Sequence, residues 1–403
     1  MAFKTNNKAA YTTDGIPYLW NSGDVTTIPS NEFKITANTA TEDRFGAAVA
    51  VGSGRIVVGA YGDDDNGSNS GSAYIFDLDG NELAKITASD AAADDYFGNS
   101  VAVGSGRIVV GAYWDNTNAG SAYIFDLDGT QLAKITASDG AVGDEFGYSV
   151  AVGSGRIVVG AYKDDDNGSD SGSAYIFDLD GNQLAKILAS DGASNDDFGS
   201  TVSVGSGRIV VGAPGDTVNG LESGSAYIYD LDGNQLTKIL PSDGGAYRYF
   251  GNSAAVGSGR IVVGAYQDSE NGSSSGSAYI FDLDGNELAK IIASDGDVGD
   301  YFGWSVAVGS GRIVISTWRT GDNGTDYGSA YIYDLDGNEL VKINASDAAA
   351  GDKFGYSAAA GSGRIVVGAD EDDDNGNSSG SAYIYETPQV YNLYDAIELK
   401  GVI

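Results

Sequence analysis

Residues 31–37 read Asn-Glu-Phe-Lys-Ile-Thr-Ala, and residues 81–88 read Asn-Glu-Leu-Ala-Lys-Ile-Thr-Ala. The second copy is the fourth predicted strand of a unit that recurs along the chain. The first copy stands alone, ahead of every unit. At the other end, the last unit stops after three strands, with Ser-Ala-Tyr-Ile-Tyr-Glu at 381–386 and the strand-breaking Pro388. A strand spare at the beginning and missing at the end is what ring closure requires. Segment 31–37 is expected to complete the last sheet as its outer strand, an exchange for which an open solenoid has no use.

Working outward, Phe-Gly recurs at Phe45, Phe97, Phe146, Phe198, Phe250, Phe302 and Phe354, in steps of 52 residues apart from one of 49. Each interval holds four short strands. In the second they are Asn99–Gly104, Arg107–Tyr113, Ser121–Leu127 and Gln131–Ala137. The runs Ile-Val-Val and Ala-Tyr-Ile-Phe are apolar on both faces, as expected of sheets sandwiched between neighbours. Gly-Ser-Gly and Asp-Gly turns join the strands as hairpins. The expected fold is an all-β, seven-bladed propeller of four antiparallel strands per blade. It spans 31–386, with an N-terminal arm at 1–30 and a tail at 387–403.

Composition narrows the function. With 57 acidic and 22 basic residues the formal charge is −35, which repels nucleic acid and anionic membrane surfaces. Cysteine and histidine are absent, which removes disulfides, thiolate or imidazole metal ligands and every imidazole-based triad. The first residues show no apolar core of a secretory leader, and no transmembrane run follows.

The phrases Phe-Gly-Tyr-Ser-Val-Ala-Val-Gly, Arg-Ile-Val-Val-Gly-Ala-Tyr and Gly-Ser-Ala-Tyr-Ile-Phe closely resemble the FG-GAP repeat family, the blades of integrin α-subunit propellers and bacterial relatives. The resemblance covers 31–386 and implies a propeller used for adhesion or recognition, not chemistry. One departure stands out. The integrin-type calcium loop between first and second strands is replaced by the tight turn Gly153-Ser154-Gly155-Arg156 and its equivalents, so calcium does not carry over from that motif.

Antiparallel strands sort the loops between two faces. On one, Arg55, Arg107, Arg156, Arg208, Arg260, Arg312 and Arg364 are expected to pair, blade by blade, with Asp77, Asp126, Asp178, Asp230, Asp282, Asp334 and Glu386. The Asp-Leu-Asp-Gly turn there resembles half a calcium loop, but a hairpin with glycine in the left-handed region accounts for it. Each outer strand carries a lysine (Lys34, Lys85, Lys134, Lys186, Lys238, Lys290, Lys342), read as a charge that protects an exposed edge.

The opposite face gathers the remaining carboxylates. Asp63/Asp65, Asp164/Asp166 and Asp372/Asp374 share the pattern Asp-x-Asp-Asn-Gly, and Asp43, Asp90, Asp95, Asp139, Asp144, Asp295, Asp300, Asp347 and Asp352 adjoin them. Oxygen-only clusters on glycine-rich loops suit calcium, and the three pairs are its candidate ligands, although the terminal bidentate Glu of a calcium loop is missing. Solvated turns explain the same residues. Paired carboxylates also serve glycoside hydrolysis, the third reading. The same pair in several blades is not the single asymmetric constellation that catalysis uses, so a non-enzyme is expected.

The copies disagree most on this face. Blade six has Ser316-Thr317-Trp318-Arg319 where blades one, two, three and five have Gly-Ala-Tyr, the loop entering blade five holds Tyr247, Arg248 and Tyr249, and blade two has Trp114 in a shortened loop. The position after Phe-Gly is Ala47, Asn99, Tyr148, Ser200, Asn252, Trp304 and Tyr356, expected at the channel mouth. Trp, Tyr and Arg on loops are typical binding hot spots. Trp114, Tyr247, Arg248, Tyr249, Trp304, Trp318 and Arg319 are the candidates for a protein or glycan ligand, with drift among tolerant loops as the plain alternative.

The arm holds Phe3, Tyr11, Tyr18 and Trp20, and the tail alternates apolar and polar residues. Both are expected to leave the ring on the Arg-bearing face, either folding back on it or docking the subunit onto a partner. The expected role is a displayed subunit of a virion or extracellular appendage. A calcium-stabilised scaffold is the alternative function and the cytoplasm the alternative location.

Overall fold

In the computed structural model the described residues are 32–37, 40–319 and 327–388, with the strand backbones Ala10–Tyr11, Pro17–Asn21, Asp24–Thr27 and Val390–Asn392 besides. Seven four-stranded antiparallel sheets form blades one to seven. Blade three, as an example, runs Ser149–Gly153, Arg156–Ala161, Ser173–Phe177 and Gln183–Ile187 from inside to outside. The first strands lie innermost and pack on one another. A Cβ on Gly52 would meet the Val103 carbonyl of the next blade at 2.4 Å, so glycine at this position lets neighbouring inner strands approach.

Blade seven closes as expected. Phe33–Ile35 pairs with Ser381–Glu386 in the register Lys34 opposite Tyr383 and Ile35 opposite Ala382. The remaining ends also pair with each other. Asp24–Thr27 lies antiparallel to Val390–Asn392 in a separate sheet with Pro17–Asn21 and Ala10–Tyr11. Arm and tail therefore run side by side. Phe3 and the tail beyond 392 lie outside the described residues.

The hydrophobic core is divided into seven clusters, one per blade seam, including the seam between blades seven and one. Each Phe of Phe-Gly is fully buried in a seam and meets the third-strand Tyr of its own blade edge-to-face, as Phe146 does Tyr175 at 5.4 Å between centroids. Such pairs add about 0.5–1.5 kcal/mol beyond area burial. The following glycine has φ near +95° and lies against the previous blade: a Cβ on Gly199 would meet the Ser173 carbonyl oxygen at 2.3 Å. The Phe-Gly signature is thus a seam element, apolar plug followed by close approach.

The Arg-bearing face corrects one expectation. Each Arg directs its Nε hydrogen bond beyond its own blade and not to the first Asp of its own blade's turn. Arg156 Nε donates to the Leu231 carbonyl at 3.1 Å and Nη2 pairs with Asp232 at 3.4 Å, where Asp178 had been expected. Arg55, Arg107, Arg208, Arg260 and Arg364 repeat this onto Leu127, Leu179, Leu283, Leu335 and Leu78. Arg364 also lies 4.0 Å from Glu386, its expected partner. The physical reason is that Asp178 and its equivalents are engaged: Asp178 accepts from the amides of Asp180 and Asn182 and from the Asn182 side chain, closing the turn. Those bonds, the Asn182 side chain first, hold the Asp178 carboxyl below the usual range.

Candidate recognition face

The loops joining second to third strands, and those joining blades, share the opposite face. Asp164 in blade three shows how the acidic loops are built. Its Oδ1 accepts from the Asp166 amide at 3.1 Å, closing the turn, while Asp165 accepts from the Asp170 amide. Its Oδ2 accepts from the Tyr175 hydroxyl at 2.9 Å and from the Lys186 ammonium at 2.8 Å. Lys186 also holds Asp166 at 2.6 Å and, across the seam, Asp139 at 2.9 Å. Asp164 is only 3% exposed. The outer-strand lysines therefore do more than guard an edge. Cross-strand register sets each beside the third-strand Tyr (Lys186 opposite Tyr175), and the ammonium folds over that ring into the acidic loop, 5.2 Å from the Tyr175 centroid.

The other candidate ligands repeat this. Lys85 binds Asp63 and Asp65, each at 2.6 Å; Lys34 binds Asp372 at 2.8 Å, Asp374 at 2.5 Å and Asp347 at 2.8 Å. Burial works against the charge on Lys34, but hydrogen bonds to the three carboxylates outweigh it and raise the ammonium above the usual lysine value. Among the described residues, two groups of three carboxylates stand close enough to share one metal ion: Asp347/Asp372/Asp374 and Asp243/Asp268/Glu270. The second was overlooked in the sequence because its spacing is Asp-x-Glu. Each surrounds a lysine, Lys34 or Lys290, and Asp268 also holds Arg248 at 2.6 Å. As a fit for calcium, the oxygens suit the ion, but a cation already stands among them.

The residue before each Phe-Gly adopts the left-handed conformation in all seven blades: Arg44, Tyr96, Glu145, Asp197, Tyr249, Tyr301 and Lys353 have φ between 53° and 62°. Glycine would be cheapest there, yet none occurs, and side-chain type varies from blade to blade. Strain of this kind collects at functional sites. With the residues just after the second strands (Tyr61, Tyr113, Tyr162, Tyr266) and just after Phe-Gly (Tyr148, Trp304, Tyr356), the aromatics at this position build a crown in two arcs. Tyr61, Tyr96, Tyr113, Tyr148 and Tyr162 run from blade one to blade three, at ring separations of 4.4–5.9 Å. Tyr249, Tyr266, Trp304 and Tyr356 run from blade five to blade seven at 5.3–5.8 Å. Blade four breaks the circle with Pro214 and Ser200.

Most candidate ligand residues fall on this crown. Trp114, 37% exposed, packs edge-on to Tyr96 at 4.9 Å; Trp318 stacks on Tyr301 at 5.7 Å and touches Trp304. The Trp304 indole donates to the Tyr356 carbonyl at 3.1 Å, and Tyr249 donates to the Glu222 carboxylate. Tyr247 is exposed, and so is Arg319. Arg248 differs. It occupies the place held elsewhere by a buried Asp and is tied to Asp268 and Asp243. The crown already holds two ammonium groups of its own, Lys163 over Tyr162 with Glu145, and Lys353 over Trp318 with Glu371. Of the tyrosines before Phe-Gly, Tyr249 is among the sequence candidates and Tyr96 and Tyr301 are not, although variation at an otherwise repeated position was the available signal.

Three carboxyls near the crown and the loops are raised to about 6 by burial in the first place: Asp197, Asp352 and the nearly inaccessible Asp370, whose Oδ2 lies 3.6 Å from Arg44. Among the described residues no helix is long and apolar enough to cross a membrane.

The FG-GAP repeat model matches the chain seven times, over residues 30–76, 81–125, 130–177, 182–229, 234–281, 286–333 and 338–385. No curated protein matches the sequence. Each match covers one Phe-Gly unit of the ring, and the chain belongs to the FG-GAP repeat family.

Proposed function

We propose that this propeller is a non-catalytic recognition module that takes a protein or glycan ligand at the aromatic crown. The observation that carries the reading is the asymmetry of the face. Seven nearly identical blades hold seven left-handed positions whose side chains differ, and the aromatics among them, Tyr96, Tyr249 and Tyr301, join neighbouring Tyr and Trp rings in two arcs. Trp and Tyr in such a setting supply binding area at low entropic cost. In this reading the paired terminal strands attach the subunit to a larger assembly, a virion or an extracellular appendage, and leave the crown outward. A scaffold stabilised by calcium is the second reading, supported by the two three-carboxylate groups.

Glycan arrays and pull-downs from candidate host surfaces, run with wild type and with Trp304→Ala/Trp318→Ala, test the proposal. Binding that falls at least tenfold in a variant with an unchanged melting temperature supports it. Retention of every partner by that variant and by Trp114→Ala overturns it, and turnover of a sugar polymer, lost in Asp370→Asn, replaces it with an enzyme.

A further inference from the structure

We infer that the cation of each acidic seam is the outer-strand lysine itself, and that at blades five and seven, where three carboxylates stand close enough to share an ion, this lysine excludes calcium. The inference is independent of the crown and of any ligand there.

The geometry repeats around the ring. Lys34, Lys85, Lys134, Lys186, Lys238 and Lys290 each hold the buried Asp of their own blade's loop: Asp372, Asp63, Asp115, Asp164, Asp216 and Asp268. Five of them also bind the Asp of the preceding blade's connection, at 2.6–2.9 Å. In blade one the sequence has Thr39 at the position that is Asp in the others. For Lys342 the described partner is Asp295.

A calcium ion gathers six to eight oxygens at 2.3–2.6 Å. The oxygens within reach at blade seven are Oδ2 of Asp347, Asp372 and Asp374, and these already converge on Lys34 Nζ. An ion bridging the same atoms would sit a few ångströms from a fixed ammonium. Repulsion between them, in a half-buried site, opposes entry. The ammonium carries one charge against two, is covalently tethered, and gains the Tyr383 ring as a further neighbour. A tethered cation costs no association entropy and cannot be chelated.

The test uses the full chain in EDTA and in calcium chloride, by thermal unfolding and by calorimetric titration. Wild type should melt at the same temperature in both and take up no calcium. Lys34→Met should melt lower in EDTA, recover with calcium in a concentration-dependent way, and titrate with the ion where wild type shows no uptake. Lys34→Arg, which keeps the charge, should remain indifferent. Lys290→Met repeats the test at the blade five seam should Lys34→Met fail to fold. A wild-type protein whose melting temperature falls on chelation, or a folded lysine variant that takes no calcium, overturns the inference. The first result would support the calcium scaffold and leave crown binding to its own assay.

Discussion

The Lys34 ammonium stands 2.8 Å from the Asp372 carboxylate, joining residues 338 positions apart in the chain. It ties the strand that opens the propeller to a loop of the blade that ends it. Lys34 is mostly covered and Asp372 nearly inaccessible, so removing the lysine leaves a buried carboxylate with its main counter-charge gone. Lys34→Met should cost about 2–4 kcal/mol, read by denaturant unfolding. Deleting 1–36 should cost more, because it bares Tyr383 and Ile384 along an open edge and yields aggregated or oligomeric protein on size-exclusion chromatography.

The seam glycines make a sharper test of packing. Gly199 and Gly155 both have positive φ, at +95° and +76°. A Cβ on Gly199 meets the Ser173 carbonyl, whereas one on Gly155 meets nothing within 4 Å. Gly155→Ala should therefore cost only the conformational penalty of about 1–2 kcal/mol. Gly199→Ala adds the backbone clash and should exceed it by at least about 1 kcal/mol in chemical denaturation.

The arginine ring separates surface ion pairs from a clamp. Arg156 pairs with the largely exposed Asp232, so Arg156→Ala should change stability by about 1 kcal/mol or less. Arg312 finds no Asp-Leu-Asp-Gly turn in blade seven, whose fourth strand comes from the other end of the chain, and donates to the Pro388 carbonyl at 2.9 Å. Arg312→Ala should leave the melting temperature nearly unchanged and speed protease cleavage just beyond Pro388, read by mass spectrometry.

Stability should peak in mildly acidic solution. Asp197, Asp352 and Asp370 have folded pKa values of about 6, above their unfolded values. Their ionised forms cost stability, which returns as pH falls from above about 6 toward about 4. Asp90, Asp139, Asp191, Asp243, Asp295 and Asp347 behave oppositely. Burial opposes their charge, but the lysine and tyrosine bonds prevail and hold them below the usual range. Their contribution is full at neutral pH and is lost below about pH 4. A melting temperature that rises from pH 8 to 5 and falls below pH 4 is expected; Asp370→Asn should flatten the upper limb.

The face assignment, the blade count and closure by 31–37 were legible because they depend on local pattern: apolar runs, hairpin glycines and strand order. The partners of charged groups were not. Arg156 was expected beside Asp178, directly after the end of its own blade's third strand at Phe177, and instead crosses to Asp232, because the turn consumes Asp178. The crown was legible only in part. Trp304 and Trp318 stand out as rare residues, but Tyr96 and Tyr301 look ordinary until the backbone shows them held in the left-handed region.

The amino-acid sequence alone determined that seven four-stranded blades close on an N-terminal strand, since period, turn chemistry and the exchanged strand are properties of neighbouring residues. Only the tertiary structure decided where the charges go. A lysine on an outer strand looks like a solvated edge guard until the register sets it against the third-strand tyrosine and the seam brings the previous blade's aspartate to meet it. Electrostatic partners are chosen by distance in space, and in a ring those distances are fixed between blades, beyond the reach of any local pattern.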